Sequence, residues 1–217
     1  SIENVIKLAD IAADYGVTLN MEVLNRFEGY MLNVCDEAVR YVDAVNKPNV
    51  KIMLDTFHMN IEEDSLVDAI RKAGNRLGHV HVGEANRRPP NKQGRIQWDI
   101  LGKALKEIPR NKYYLSTKVG RYGENGVNIW NYSGKCATES VYKSMERLNV
   151  DYIDLINVHD IEFADLHQVI HETLPALVEL RNKGIVKHVG ITDLQLENLK
   201  WVVEHSASGT VESILNF

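Results

Sequence analysis

The stretch Leu101–Lys118, LGKALKEIPRNKYYLSTK, decides the fold. It reads as a helix, a break at Pro109, a short polar turn, and an aromatic and β-branched strand ending in Lys118. Pro109 has no amide hydrogen to continue the helix and disfavours helical backbone in the residue before it. The same helix-then-strand unit recurs on both sides.

Toward the N-terminus, Ile2, Val5, Ile6, Ala9 and Ala13 fall at helical spacing and Gly16 closes the helix. Strands are expected over Val17–Val23, Val50–Asp55 (VKIMLD) and Leu77–Val82. Between them lie a helix capped by Asn33 and running to about Val45, and another over Glu62–Ala73. A loop dense in Arg, Pro and Asn follows over Asn86–Gly94, leading to the helix Trp98–Ile108.

Toward the C-terminus, a Gly/Asn/Tyr loop precedes a helix over Thr138–Leu148 with Thr138 as its cap. Then come the strand Tyr152–Val158, a helix over Leu166–Lys183 expected to break near Pro175, the strand Val186–Ile191, the helix Gln195–His205 and a last strand over Val211–Phe217. About seven strands separated by helices imply a parallel sheet with right-handed crossovers.

An open doubly wound sheet would usually carry a glycine-rich phosphate turn, and neither GxGxxG nor GxxxxGK[ST] occurs. A (β/α) barrel sets reactive side chains at the C-terminal ends of several strands. Glu22, Asp55, His81, Lys118 and His159 all stand at such ends. The expectation is therefore an incomplete TIM-barrel-type fold, one strand short of closure. Exposed sheet edges would then favour a homo-oligomer or strand exchange.

With 217 residues, 44% hydrophobic and 25% charged, the chain is long enough for one barrel-sized domain or two small ones. A net charge of −5 argues against nucleic acid as a partner. Cys35 and Cys136 lack metal or redox spacing and read as reduced thiols of a cytoplasmic protein. No apolar run approaches the ~18 residues of a membrane span. The chain starts at Ser1 inside a helical pattern and stops at Phe217 at the close of a strand, so both ends are expected to be cuts.

Two sets of chemistry can be read. Glu22, Asp55 and His81 combine hard carboxylate oxygens with one imidazole, a set suited to Mn²⁺, Mg²⁺ or Co²⁺. Taken singly, a carboxylate at a strand end is more often a cap or a solvated group. Lys118 and His159, at the ends of neighbouring strands, could polarise a carbonyl and move a proton. Each alone is a weak signal.

EVLNRFEGYMLN (Glu22–Asn33), VKIMLDTFHMNIEEDS (Val50–Ser65) and GHVHVGEANRRPP (Gly78–Pro90) closely resemble the D-tagatose/D-psicose 3-epimerases. That resemblance, over residues 1–100, implies a barrel enzyme moving a proton at C3 of a ketose. It implies Glu22 as metal ligand and acid/base, Asp55 and His81 as ligands, and Glu28, His58 and Arg87 as groups holding the sugar. The family's second carboxylate, also its fourth ligand, ends its last barrel strand; the following strand here, YYLSTK, contains none.

LGKALKEIPRNKYYLSTKVGRYG, SMERLNVDYIDLINVHDIEF, LPALVELRNKGIVKHVGITDL and GTVESILNF resemble the aldo-keto reductases, most closely the L-galactose dehydrogenase-like branch. This covers residues 101–217 and implies Lys118 and His159 as two of four catalytic residues, with Thr192 and Asp193 meeting the nicotinamide. The Asp and Tyr of that family, and the strands holding the pyrophosphate, have no counterpart, so tight NAD(P) binding is not expected. The chain thus reads as two half-barrels joined near residue 100, each with an incomplete site: an impaired epimerase first, a reductase second, a non-catalytic chimera third.

Overall fold

The computed structural model describes residues 1–90, 94–124 and 127–216. Phe217, placed at the end of the last expected strand, and residues 91–93 of the Arg/Pro/Asn loop lie outside the described residues. The chain divides into two compact units, Ser1–His81 with Ile96–Tyr114, and Val82–Arg95 with Leu115–Phe217. Seven parallel strands carry the architecture, as the alternating pattern implies.

In the first unit, helix α1 (Ile2–Asp14) leads to β1 (Leu19–Glu22), α2 (Cys35–Val45) and β2 (Val50–Asp55). The chain continues through α3 (Thr56–Glu62), α4 (Leu66–Ala73), β3 (Leu77–His81) and α5 (Trp98–Lys106). Two expectations change. The helix expected over Glu62–Ala73 starts later, at Leu66, because Ser65 caps α4 through the Asp68 amide at 3.2 Å, and an unexpected helix, α3, precedes it, capped by Asp55 through the Phe57 amide at 2.8 Å. Asn33 does not cap α2. Val34 occupies the cap position, Glu37 accepts from the Asn33 and Val34 amides, and the Asn33 side chain instead donates to the carbonyls of Leu24 and Gly29.

The ladder of this unit contains an irregularity that sets its geometry. Ile52 pairs with Leu77, yet Met53 pairs with His79, so Gly78 is an extra residue on β3. Strand side chains alternate faces, and one extra residue reverses the alternation beyond it. Leu77 and Val80 therefore both lie with Ile52 and Leu54 in the core, all four fully buried. His79 and His81 turn to the face that carries Met53 and Asp55. The bulge requires glycine: a Cβ there would overlap the Asn20 side-chain oxygen and stand 2.5 Å from Lys51 Cβ.

In the second unit, β4 (Tyr114–Val119), whose first residue belongs to the first unit, precedes a hairpin of β5 (Arg121–Glu124) and β6 (Val127–Trp130). The Gly/Asn/Tyr composition of this stretch gave no sign of strands. Then follow α6 (Gly134–Leu148), β7 (Ile153–Val158), α7 (Leu166–Gln168), α8 (Leu174–Asn182), β8 (Val186–Thr192), α9 (Leu196–His205) and β9 (Ser213–Leu215). Helix α6 starts earlier than expected because Ser133 caps it through the Cys136 amide, while the Thr138 hydroxyl donates to the Gly134 carbonyl within the helix. The break expected near Pro175 is a π-helical turn, Val169–Thr173, joining α7 to α8. Pro175 cannot donate to the carbonyl four residues back, which favours a wider turn just before it. A core of Ile153, Ile156, Val158, Val169, Leu174, Leu177, Val189 and Ile191 lies beneath.

Among the described residues, no helix is long and apolar enough to cross a membrane. Gly78→Ala is expected to lower unfolding free energy by about 1–3 kcal/mol through overpacking. Denaturant titration checks this, and unchanged stability would show that the bulge accommodates a methyl group.

Candidate metal centre and a second polar cluster

In the first unit the register brings three strand ends together. Glu22 pairs with Met53 and Asp55 with His81, so Glu22, Met53, Asp55 and His81 share one face by the period of two. One ligating atom from each of Glu22, Asp55 and His81 lies within 4.8 Å of the others. His81 Nδ1 stands 3.5 Å from Asp55 Oδ2, and both side chains are about nine-tenths buried. The other Asp55 oxygen accepts from the Phe57 amide, which fixes the carboxylate's rotation. Two carboxylates held this close repel each other, a cost that a bound divalent cation offsets. Two hard oxygens and an imidazole fit the cation set expected from the sequence.

His58, on α3, stands against the same group. Its Nε2 lies 4.0 Å from Glu22 Oε1 and 4.0 Å from Glu28 Oε2. Asn25 settles its tautomer. The Asn25 backbone amide, which can only donate, points at His58 Nδ1 from 3.3 Å. The Asn25 side-chain oxygen accepts from the Phe27 amide at 2.9 Å, so its NH₂ faces His58 Nδ1 at 2.7 Å and Glu28 at 3.1 Å. His58 Nδ1 is thus an acceptor, and Nε2 carries the proton directed at Glu22 and Glu28. Asn25 is a site residue that sequence reasoning missed. Its signal was a lone amide between the two glutamates of EVLNRFE.

Arg87 belongs to the second unit. Its backbone is left-handed, with φ +63°, and its amide donates to the Glu84 carbonyl at 2.8 Å. Its neighbour Arg88 is buried and donates to the Val127 carbonyl at 2.6 Å and to the Asn128 side chain, tying the loop to the β5–β6 hairpin.

The second unit assembles its own polar face. Lys118 pairs with Asn157, and Asn157 with Gly190, so Ser116, Lys118, Asn157, Gly190 and Thr192 point the same way. The Asn157 amide donates to Ser116 Oγ at 3.3 Å, and its oxygen occupies space that a side chain at position 190 would fill. His159 follows β7 and is 5% exposed.

Asp160, unnoticed in the sequence, binds this end together. It adopts a left-handed backbone at φ +48°, and its amide donates to Thr192 Oγ1 at 2.9 Å. Its carboxylate lies 3.2 Å from His159 Nε2 and 3.7 Å from Arg121. Tyr132 holds the turn by donating its hydroxyl to the carbonyls of His159 and Asp160, at 2.8 and 2.7 Å. Burial pushes the Asp160 carboxyl above the usual range, opposed by the charges of Arg121, Lys118 and Arg87 and by the Thr192 hydrogen bond. The HD pair in NVHDIEF was the available signal. Asp193 spends its oxygens on the Gln195 amide at 2.7 Å and the Asn198 side chain at 2.9 Å, anchoring the start of α9.

Comparison with known proteins brings in two families whose matches overlap. The model of the xylose isomerase-like TIM barrel family matches residues 1–131, and that of the aldo/keto reductase family residues 97–213. A D-psicose 3-epimerase of Enterocloster bolteae is 55% identical over 108 residues, which are 50% of this chain and 36% of that protein. An L-galactose dehydrogenase of Arabidopsis thaliana is 36% identical over 159 residues, 72% of this chain and 47% of that protein. The crystal structure of a D-psicose 3-epimerase in the presence of D-fructose superposes with a TM-score of 0.53 at 38% identity, covering 83% of this chain and 54% of that one. The chain spans about half or less of the length of these proteins. Both family matches include Leu101–Lys118. The chain belongs to the xylose isomerase-like TIM barrel family over residues 1–131 and to the aldo/keto reductase family over residues 97–213.

Proposed function

We propose that the chain joins a ketose 3-epimerase-like half-barrel, residues 1–100, to an aldo-keto reductase-like half-barrel, residues 101–217. On this reading the first keeps a divalent-cation site while epimerisation is impaired. The observation that carries it is the convergence of Glu22, Asp55 and His81 within 4.8 Å.

A cation of the Mn²⁺, Mg²⁺ or Co²⁺ type, when bound, would polarise adjacent sugar oxygens and acidify the C–H between them. The chain's own groups supply the rest. Glu22 acts as the base at C3. The His58 Nε2 proton serves as a hydrogen-bond donor toward a ketose hydroxyl, and Glu28 accepts from a second hydroxyl. Inversion at C3 needs a proton delivered to the opposite face by a second acid/base group. The strand YYLSTK carries no carboxylate for that role. Proton removal is therefore retained in outline and proton return is not.

The second reading, a reductase, is favoured by the Lys118–Asn157 register and the buried His159. A lysine and a histidine would not by themselves sustain hydride transfer, which also needs a phenol to protonate the carbonyl oxygen and a bound nicotinamide cofactor. Thr192 and Asp193 alone give a nicotinamide little purchase.

Three outcomes are expected. In calorimetric titration the protein takes up Mn²⁺ saturably, and Asp55→Asn weakens binding about tenfold or more, a loss of about 1.4 kcal/mol or more; equal affinity would remove the cation site. Conversion of fructose to psicose by the Mn²⁺-loaded protein stays at background, and turnover comparable to a full-length epimerase would contradict the impaired reading. NADPH quenches tryptophan fluorescence without saturating below about 1 mM, a Kd worth only about −4 kcal/mol; micromolar saturation would favour the reductase.

β1 is hydrogen-bonded to β2 and β9 to β8, and we infer self-association or strand exchange through these terminal strands. Sedimentation velocity should show mass rising with concentration; a monomer throughout would count against it.

A further inference from the structure

The second unit carries a row of aromatic rings that neither half-site uses. His167 and His171 lie four residues apart, with ring centroids 6.3 Å apart and planes 12° from parallel. The edge of His167 meets Trp201 on α9 at 5.1 Å, and Trp201 stacks on His205 at 4.2 Å. All three histidines are exposed, and Trp201 is half-buried.

The backbone under the pair is held firmly. Asp165 caps α7 by accepting from the His167 amide at 2.9 Å. Val169 and Thr173 of the π-helical turn are fully buried, and the Thr173 hydroxyl donates to the Tyr132 carbonyl. Gly134 of α6 packs so close that a Cβ there would stand 2.7 Å from the Glu172 carbonyl. With Val169 and Thr173 turned inward, His167 and His171 project outward together from a rigid base. His205 Nδ1 must donate to the Trp201 carbonyl, 2.8 Å away, which leaves the lone pair on Nε2.

We propose that His167 and His171 chelate a borderline transition-metal ion of the Cu²⁺, Ni²⁺ or Zn²⁺ class, with Trp201 as one wall of the site. Two imidazoles four residues apart on one helical face are a recurrent chelating pair. Imidazole prefers these ions to Mn²⁺ or Mg²⁺, with Cu²⁺ bound most tightly. Metal–nitrogen bonds of ~2.0–2.1 Å need the two nitrogens roughly 3–4 Å apart, within reach of small ring rotations by exposed side chains. The site is separate in chemistry from the Glu22, Asp55 and His81 set, which offers mainly oxygen.

The test uses the full chain carrying Asp55→Asn, to weaken the first set, and titrates Cu²⁺ by calorimetry and tryptophan fluorescence. Saturable binding with quenching is expected. His167→Ala and His171→Ala should each weaken it about tenfold or more, equivalent to about 1.4 kcal/mol. Trp201→Phe should keep the affinity and lose most of the quench. In the chain without Asp55→Asn, the double histidine variant should leave the Mn²⁺ titration unchanged. Undiminished Cu²⁺ affinity in the double variant, or full quenching in Trp201→Phe, would overturn the proposal.

Discussion

The candidate metal centre depends on one extra residue in a β-ladder. Without Gly78 as a bulge, Ile52 paired with Leu77 would carry Asp55 to Val80, and both histidines of GHVHV would face the core. The bulge reverses that parity and sets His81 directly beside Asp55. The steric condition is severe, since the Asn20 side chain and Lys51 Cβ occupy the space a side chain would need. A single absent Cβ thereby sends Leu77 and Val80 to the core and the two histidines to the polar face.

The second unit solves a similar problem by similar means. Gly190 leaves room for the Asn157 amide, which bridges to Ser116 and keeps the β4–β7–β8 face polar and tightly spaced. The C-terminal end of β7 is organised around Asp160, whose left-handed backbone is held by Tyr132 and Thr192. That carboxylate touches His159 and Arg121 and feels the charge of Lys118. Tyr132 is occupied with backbone carbonyls, and its burial holds the hydroxyl protonated.

Leu101–Lys118 lies in both family matches. A helix followed by a strand is the repeating unit of every parallel barrel, so a fragment of one barrel can continue another without violating the pattern. Packing asks only for apolar volume on the correct faces, while catalysis asks for particular groups around one reacting atom.

Much of the fold was legible from local pattern. Strand–helix alternation, the apolar runs VKIMLD and YIDLINV, the stop at Gly16 and the break before Pro175 follow from backbone chemistry within a few residues. Helix caps were read less well, because Ser133 and Thr138, or Asn33 and Val34, differ only in which neighbours their polar atoms reach. Of the candidate site, Glu22, Asp55 and His81 were readable as strand-end groups of ligating type, since residue type and position along a strand are local facts. Asn25, Asp160 and the Gly78 bulge were not, because their roles are set by partners far along the chain. By itself the sequence determined the parallel alternating architecture and the kinds of chemistry present at the strand ends. Only the tertiary structure decided which of those groups face one another, because register across a ladder depends on the fit of two strands at once and one bulge reverses it.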